Sequence, residues 1–233
     1  MNYQLQRNKY NNLSDFLIKH FAKSSTLSTH TRIPNNELNI KGGSYTINED
    51  EEGEFWFHYY ERVFKKKQLE YLTEKQLKKG GGILIDFDFR YEYDIKDHVH
   101  TKEDIFNIVD LYLDKLKECF LFTDNISFPV YILEKPHVNR LENKEYTKDG
   151  IHMIIGIQMD NIHQVVLRDK VLSSIDSILR LPLTNSWDSV LDKGISEGGT
   201  NWQLIGSRKP EHEAYELTYY YNVTYDSTDG EFQ

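Results

Sequence analysis

The run Gly80-Gly81-Gly82-Ile83-Leu84-Ile85-Asp86-Phe87-Asp88-Phe89 decides how the chain is read. Three glycines mark a loop, and the apolar run behind them predicts a buried strand. Alternate residues of a strand face one side, so Asp86 and Asp88 project together while Ile85, Phe87 and Phe89 face the other way. Two carboxylates on a buried strand are costly unless a cation is held there. Hard oxygen ligands suit Mg2+ or Mn2+. The clean alternation behind a glycine loop favours a metal site over a strand end that merely faces water.

Length and composition bound the rest. The 233 residues suffice for one large domain or two small, closely packed ones. With 39% apolar and 13% aromatic residues the chain is too rich in core formers for disorder. A formal charge of -9 argues against a basic coat, although a local cationic groove could still steer nucleic acid. Cys119 is the only cysteine, which excludes an internal disulfide and any cysteine-based zinc site and suits a reducing compartment. No signal peptide is visible, and no apolar run approaches the roughly 20 residues of a membrane span. The expectation is a soluble, intracellular protein without a membrane partner. The tyrosine-rich strand and polar tail at the end read as the close of a piece cut from a longer protein.

Around the acidic strand, a helix is expected at Ser14–Ala22, then loops with a short strand at Ser44–Ile47. After the aromatics of Phe55–Tyr60, the lysines Lys65, Lys66 and Lys67 open an expected basic helical segment that ends at Lys78-Lys79. A lysine face is usually just solvated, but one leading into the acidic strand also suits a phosphate backbone. The charged loop Arg90–His100 carries Asp94, Asp97, His98 and His100, which could in principle bind a metal. Thr101 followed by Asp104 is a capping-box signature for a helix with Ile105, Val109, Tyr112, Leu116 and Phe120 on one face. A strand at Phe128–Leu133 and a polar loop at Glu134–Lys148 come next. In the strand Asp149–Ile157, Ile151, Met153, Ile155, Ile157 and Met159 take the core side. His152 lies opposite, beside Gly156, which leaves room for close approach. A second helix is expected at Asn161–Leu179, with Leu167, Val171, Ile175 and Ile178 inward. Asp188 and Asp192 are further candidate carboxylates. After the strand Asn201–Ile205, the turn Gly206-Ser207-Arg208-Lys209-Pro210 suits phosphate, combining small residues with two cations. The tyrosines of the last strand, Tyr215–Tyr225, read as sheet packing more than as a base-stacking platform.

Carboxylates, a strand histidine and a small-basic turn are the parts that metal-assisted phosphoryl transfer needs. Neither a Walker A pattern nor G-x-G-x-x-G is present. In this order the motifs resemble the archaeo-eukaryotic primase superfamily, most closely the N-terminal primase domain of the primase-helicases of poxviruses and other large DNA viruses. The matching pieces are Ile85-Asp86-Phe87-Asp88, Gly150-Ile151-His152, Val190-Leu191-Asp192 and Leu204-Ile205-Gly206-Ser207-Arg208-Lys209, spread over about residues 55–225.

The resemblance implies an α+β fold, an RRM-like antiparallel sheet with flanking helices joined to an N-terminal α/β unit. The expected division is an extension at 1–54 packed on a catalytic domain at 55–233. It further implies a DNA primase holding two Mg2+ or Mn2+ ions on Asp86, Asp88 and Asp192. His152, Ser207, Arg208 and Lys209 would contact the incoming NTP or dNTP, and Lys65, Lys66, Lys67 and Lys148 the single-stranded DNA template. A helicase domain would follow on the full-length chain, in a viral setting of host cytoplasm, virus factory or nucleus. Two other readings compete. A GT-A-like glycosyltransferase explains Asp86 and Asp88 but not His152 or the basic turn. An inactive module would bind single-stranded DNA or a replication partner through lysines and tyrosines.

Overall fold

The computed structural model describes residues 9–24, 28–77, 79–123, 125–140 and 145–233. In chain order the elements are α1 (Leu13–Lys19), β1 (His30–Arg32), β2 (Gly43–Tyr45), α2 (Glu52–Tyr60), β3 (Leu72–Glu74), β4 (Gly81–Glu92), α3 (Lys102–Cys119) and β5 (Ile126–Glu134). They continue as β6 (Tyr146–Met159), α4 (Asn161–Ile178), α5 (Trp187–Val190), α6 (Lys193–Ser196), β7 (Trp202–Gln203), β8 (Glu216–Asp226) and β9 (Glu231–Phe232). The chain forms two compact units, residues 1–75 with 201–214 and residues 76–200 with 215–233. Residues 1–54, expected as an extension packed on the catalytic domain, fall in the first unit.

In the first unit, a small antiparallel sheet runs in the order β2-β1-β3-β7. Its core joins Leu13, Phe16 and Leu17 of α1 to Phe55 and Tyr59 of α2, with Tyr45 and Leu72 from the sheet. The Asn12 side chain caps α1 by accepting from the Asp15 amide. A π-helical turn, Glu61–Lys65, extends α2, and the chain then leaves helical geometry, with Lys67 at φ +52°. The basic helix expected from Lys65 to Lys79 is therefore not formed. Its middle is strand β3 instead, held between β1 and β7, and Lys78 lies outside the described residues.

The second unit carries the acidic strand in a five-stranded sheet of order β4-β6-β5-β8-β9, antiparallel throughout. Its run β4-α3-β5-β6-α4-β8 makes it an α+β domain with flanking helices. Ile83, Ile85, Phe87, Phe89 and Tyr91 of β4 are all buried in one core with the apolar faces of α3 and α4. Thr101 and Asp104 form the expected capping box at the start of α3. On α4 the inward set differs from expectation. Ile178 is exposed at the helix end and Leu179 takes the buried place. Gln164 and Arg168 are buried because their side chains satisfy backbone groups, Gln164 at Gly82 O and Arg168 at Leu191 O. Strand β6 begins at Tyr146, inside the stretch expected as loop, because Tyr146, Thr147 and Lys148 pair with Glu92, Tyr91 and Arg90.

Strand β4 is the sheet edge, and its open side is covered by residues 184–192. The Thr184 amide donates to Arg90 O, and Asn185 bonds both the Arg90 amide and Asp88 O. Further along, Leu191 bridges Phe87 and the Asp192 amide donates to Asp86 O at 3.1 Å. Capping an edge in this way prevents pairing with another chain. It also brings the backbone of Asp192 alongside that of Asp86.

Candidate active site

On the side of the sheet opposite the helices, the pleat of β4 turns Asp86 and Asp88 outward, both partly exposed, while Phe87 and Phe89 are fully buried. Strand β6 sets His152 directly across from Asp86 and Gly150 across from Asp88. His152 Nε2 lies 3.5 Å from Asp86 Oδ1. Next along this face, Lys148 Nζ donates to Asp88 Oδ2 at 2.8 Å, and Arg90 stands 4.0 Å from the same oxygen. The face thus alternates acids with bases, and its exposed acids can exchange partners.

Asp192 and Asp188 separate by environment. Asp192 ends the covering segment, is partly buried, and accepts from the Gly194 amide at 2.8 Å through Oδ1. Asp188 points into solvent from α5, where it accepts from Arg168 at 2.9 Å. The segment is a helical turn followed by a bridge, so Asp188 and Asp192 take their directions from different local geometries.

Tyr215, read from the sequence as sheet packing, belongs to this group. Its ring stacks on His152 with centroids 3.5 Å apart and planes 17° from parallel. Lys135 Nζ sits 4.8 Å from the centroid of the Tyr215 ring. Gly150 makes the arrangement possible, since a Cβ there would lie 2.7 Å from the Tyr215 hydroxyl and 2.8 Å from Phe87 O. Burial, reinforced by the charges of Asp86, Asp88 and Asp149, pushes the Tyr215 phenol well above its ordinary pKa, so it remains a neutral donor. Nothing short of the tertiary contact with Gly150 singles this tyrosine out from its neighbours.

The family model for the C962R protein N-terminal AEP domain matches residues 34–221. The chain belongs to this archaeo-eukaryotic primase family. The match begins ahead of residue 55, at residue 34. A protein of Acanthamoeba polyphaga mimivirus, named as a candidate helicase L207/L206, is 31% identical over 215 residues, covering 89% of this chain and 21% of its own length. The chain thus spans about a fifth of the length of that relative.

The basic turn of the primase domain lies in the first unit. Ser207 is 1% exposed, and its Oγ bonds the Tyr59 hydroxyl at 2.8 Å and accepts from the Leu72 amide at 3.1 Å. The backbone amides of Ser207 and Arg208 donate to Leu204 O and Glu70 O. Ser207 therefore pins the turn, and both amides are already committed. Glu70 is itself fully buried and gripped by Arg32 through two bonds of 2.7 and 2.6 Å, with Arg62 at 2.8 Å. That rigid base presents Arg208, half-buried, and Lys209, exposed. Of the lysines expected to meet nucleic acid, Lys65 pairs with Glu61, and Lys66 and Lys67 are exposed. No helix among the described residues is long and apolar enough to cross a membrane.

Proposed function

We propose that this domain joins nucleotides on a single-stranded DNA template, acting as the primase of a longer viral-type replication protein that also carries a helicase. The 3′-hydroxyl of one nucleotide attacks the α-phosphate of an incoming NTP or dNTP. An O–P bond forms, the α–β bridging P–O bond breaks, pyrophosphate departs, and the hydroxyl proton leaves to solvent. The observation that carries this reading is the face shared by Asp86, Asp88 and His152, with Asp192 tied to Asp86 through its amide.

Asp86, Asp88 and Asp192 offer only hard oxygen donors from partly exposed carboxylates, a set that suits Mg2+ or Mn2+. Bound there, such ions acidify the attacking hydroxyl and offset charge on the leaving group. The remaining tasks fall to side chains. His152, clamped between Tyr215 and Asp86, holds its imidazole ready to donate to a phosphate oxygen. Lys148, which neutralises Asp88, is placed on the same face to meet the backbone of the template or primer. Arg208 and Lys209 bind the triphosphate, while Ser207 shapes their turn. Lys66 and Lys67 follow the template backbone.

Template-dependent incorporation of labelled nucleotide, with Mg2+ or Mn2+, tests the proposal. Asp86→Asn should lower incorporation by several orders of magnitude while leaving the near-UV spectrum of the folded protein unchanged. Near wild-type incorporation by Asp86→Asn, or template-free sugar transfer by the native chain, would overturn it.

A further inference from the structure

Behind the acidic face, on the helix side of the same sheet, a second group of ligating side chains converges. His98 and His100 come from the loop between β4 and α3, and Asp149 from β6. One ligand atom of each lies within 4.8 Å of the others. His98 Nδ1 is 2.9 Å from Asp149 Oδ2, and His100 Nδ1 is 3.4 Å from the same oxygen. His100 is 2% exposed and its Nδ1 makes no hydrogen bond.

The outward nitrogens decide the tautomers. His98 Nε2 faces the carbonyl of Pro136 at 3.3 Å, and His100 Nε2 faces Glu134 Oε1 at 2.6 Å. Both partners can only accept, so both Nε2 atoms carry hydrogen. With no metal bound, His98 Nδ1 carries a second proton and hydrogen-bonds Asp149 Oδ2, while the buried His100 Nδ1 beside the same oxygen is left without a hydrogen bond. A cation in place of that proton would be met by both Nδ1 lone pairs and the carboxylate oxygen. Imidazoles whose far N–H donates to a carbonyl or carboxylate are also the arrangement that fixes histidine as a metal ligand. Asp149 Oδ1 is held too, accepting from the Gly150 amide at 2.8 Å.

We infer that His98 Nδ1, His100 Nδ1 and Asp149 Oδ2 bind a Zn2+ ion, with water in the fourth tetrahedral position on the partly exposed side of His98. Two nitrogens and one oxygen suit zinc, whereas Mg2+ takes oxygen. The ion fastens the loop before α3 to β6 directly behind Gly150 and, through Glu134, to β5. It is separate from the carboxylates of the opposite face and does no chemistry on nucleotides.

The test uses the chain stripped with chelator, then given Zn2+ or Co2+ and passed through a desalting column. One equivalent of Zn2+ should stay with the protein. Co2+ should give the intense visible bands of a tetrahedral site, bleached by Zn2+ but not by excess Mg2+. His98→Ala should weaken zinc binding by more than about 100-fold, beyond the roughly 10–100-fold expected of Glu134→Gln, which disturbs only the His100 support. Asp86→Asn should retain zinc as the native chain does, and circular dichroism confirms that each variant is folded. Failure of the folded native chain to retain zinc, or equal retention by His98→Ala, would overturn the assignment.

Discussion

Replacing Gly150 with alanine tests the active-site geometry more sharply than removing any charged group. The added Cβ would sit 2.7 Å from the Tyr215 hydroxyl and 2.8 Å from Phe87 O. The hydroxyl can swing away, but Phe87 O belongs to the β4 backbone, with Phe87 itself fully buried. Overpacking of this kind costs about 1–3 kcal/mol. Against it stands the gain of about 0.4–1 kcal/mol from stiffening the unfolded chain. The clash wins, leaving a net loss on the order of 1–2 kcal/mol, or roughly 2–8 °C in melting temperature. Tyr215 must also leave the face of His152, so nucleotide KM should rise. Tyr215→Phe removes the nearer contact and not the backbone one, so Gly150→Ala combined with Tyr215→Phe should recover part of the lost stability. The assays are thermal melts of the four proteins of this cycle and nucleotide-dependent incorporation rates. A Gly150→Ala protein that melts within a degree of the native one and has its KM would refute the reasoning.

Three further outcomes follow from the same contacts. Asp192→Asn should abolish incorporation at every Mn2+ concentration, whereas Asp188→Asn should leave most activity and cost about 1 kcal/mol in stability through the buried Arg168; the reverse pattern would move the third carboxylate. His152→Ala should mainly raise the KM for nucleotide, since a lost phosphate contact weakens ground and transition states alike, and a large drop in kcat at constant KM would assign it to the chemistry. Burial lowers the pKa of His30 to about 4, so the folded state resists the proton that the unfolded chain takes up below pH 6.5. Stability should therefore fall between pH 6.5 and 4 by up to about 3 kcal/mol, and His30→Gln should flatten that part of the melting-temperature profile.

What could be read from the sequence was whatever local periodicity encodes. Asp86 and Asp88 share a face because a strand has period two, and the Thr101 cap announces α3 through two side chains three residues apart. The lysines after Phe64 mislead for a physical reason. Strand β3 has three residues, too few to show alternation, and its pairing comes from β1 and β7, far away in the chain. The segment 184–192 resists reading in the same way, being shaped by bonds to the β4 backbone and by one helical turn of four residues. Ser207 shows the complementary error. A serine between glycine and two cations suggests phosphate, yet the Tyr59 hydroxyl and the Leu72 amide draw it inside.

Strand β6 shows why register, more than residue choice, organises this unit. Its pleat sends Lys148, Gly150 and His152 to the acidic face and Asp149, Ile151 and Met153 to the helix side. A slip of one residue against β4 would reverse every one of these assignments. Asp149 would then stand opposite Asp88, adding a third carboxylate beside Lys148 and Arg90, while His152 would be driven into an apolar core. The bulge between Gly82 and Ile83 takes up the chain's mismatch at the far end of the pair, where Gly156 packs tightly against Pro129. Beyond it the pairing from Ile83 to Glu92 runs without interruption. The buried phenylalanines hold that register through the core, and the acids and bases of the outer face hold it through charge. Both faces therefore penalise the same slip, and for that reason the residues of the candidate active site can be partly exposed without losing their alignment.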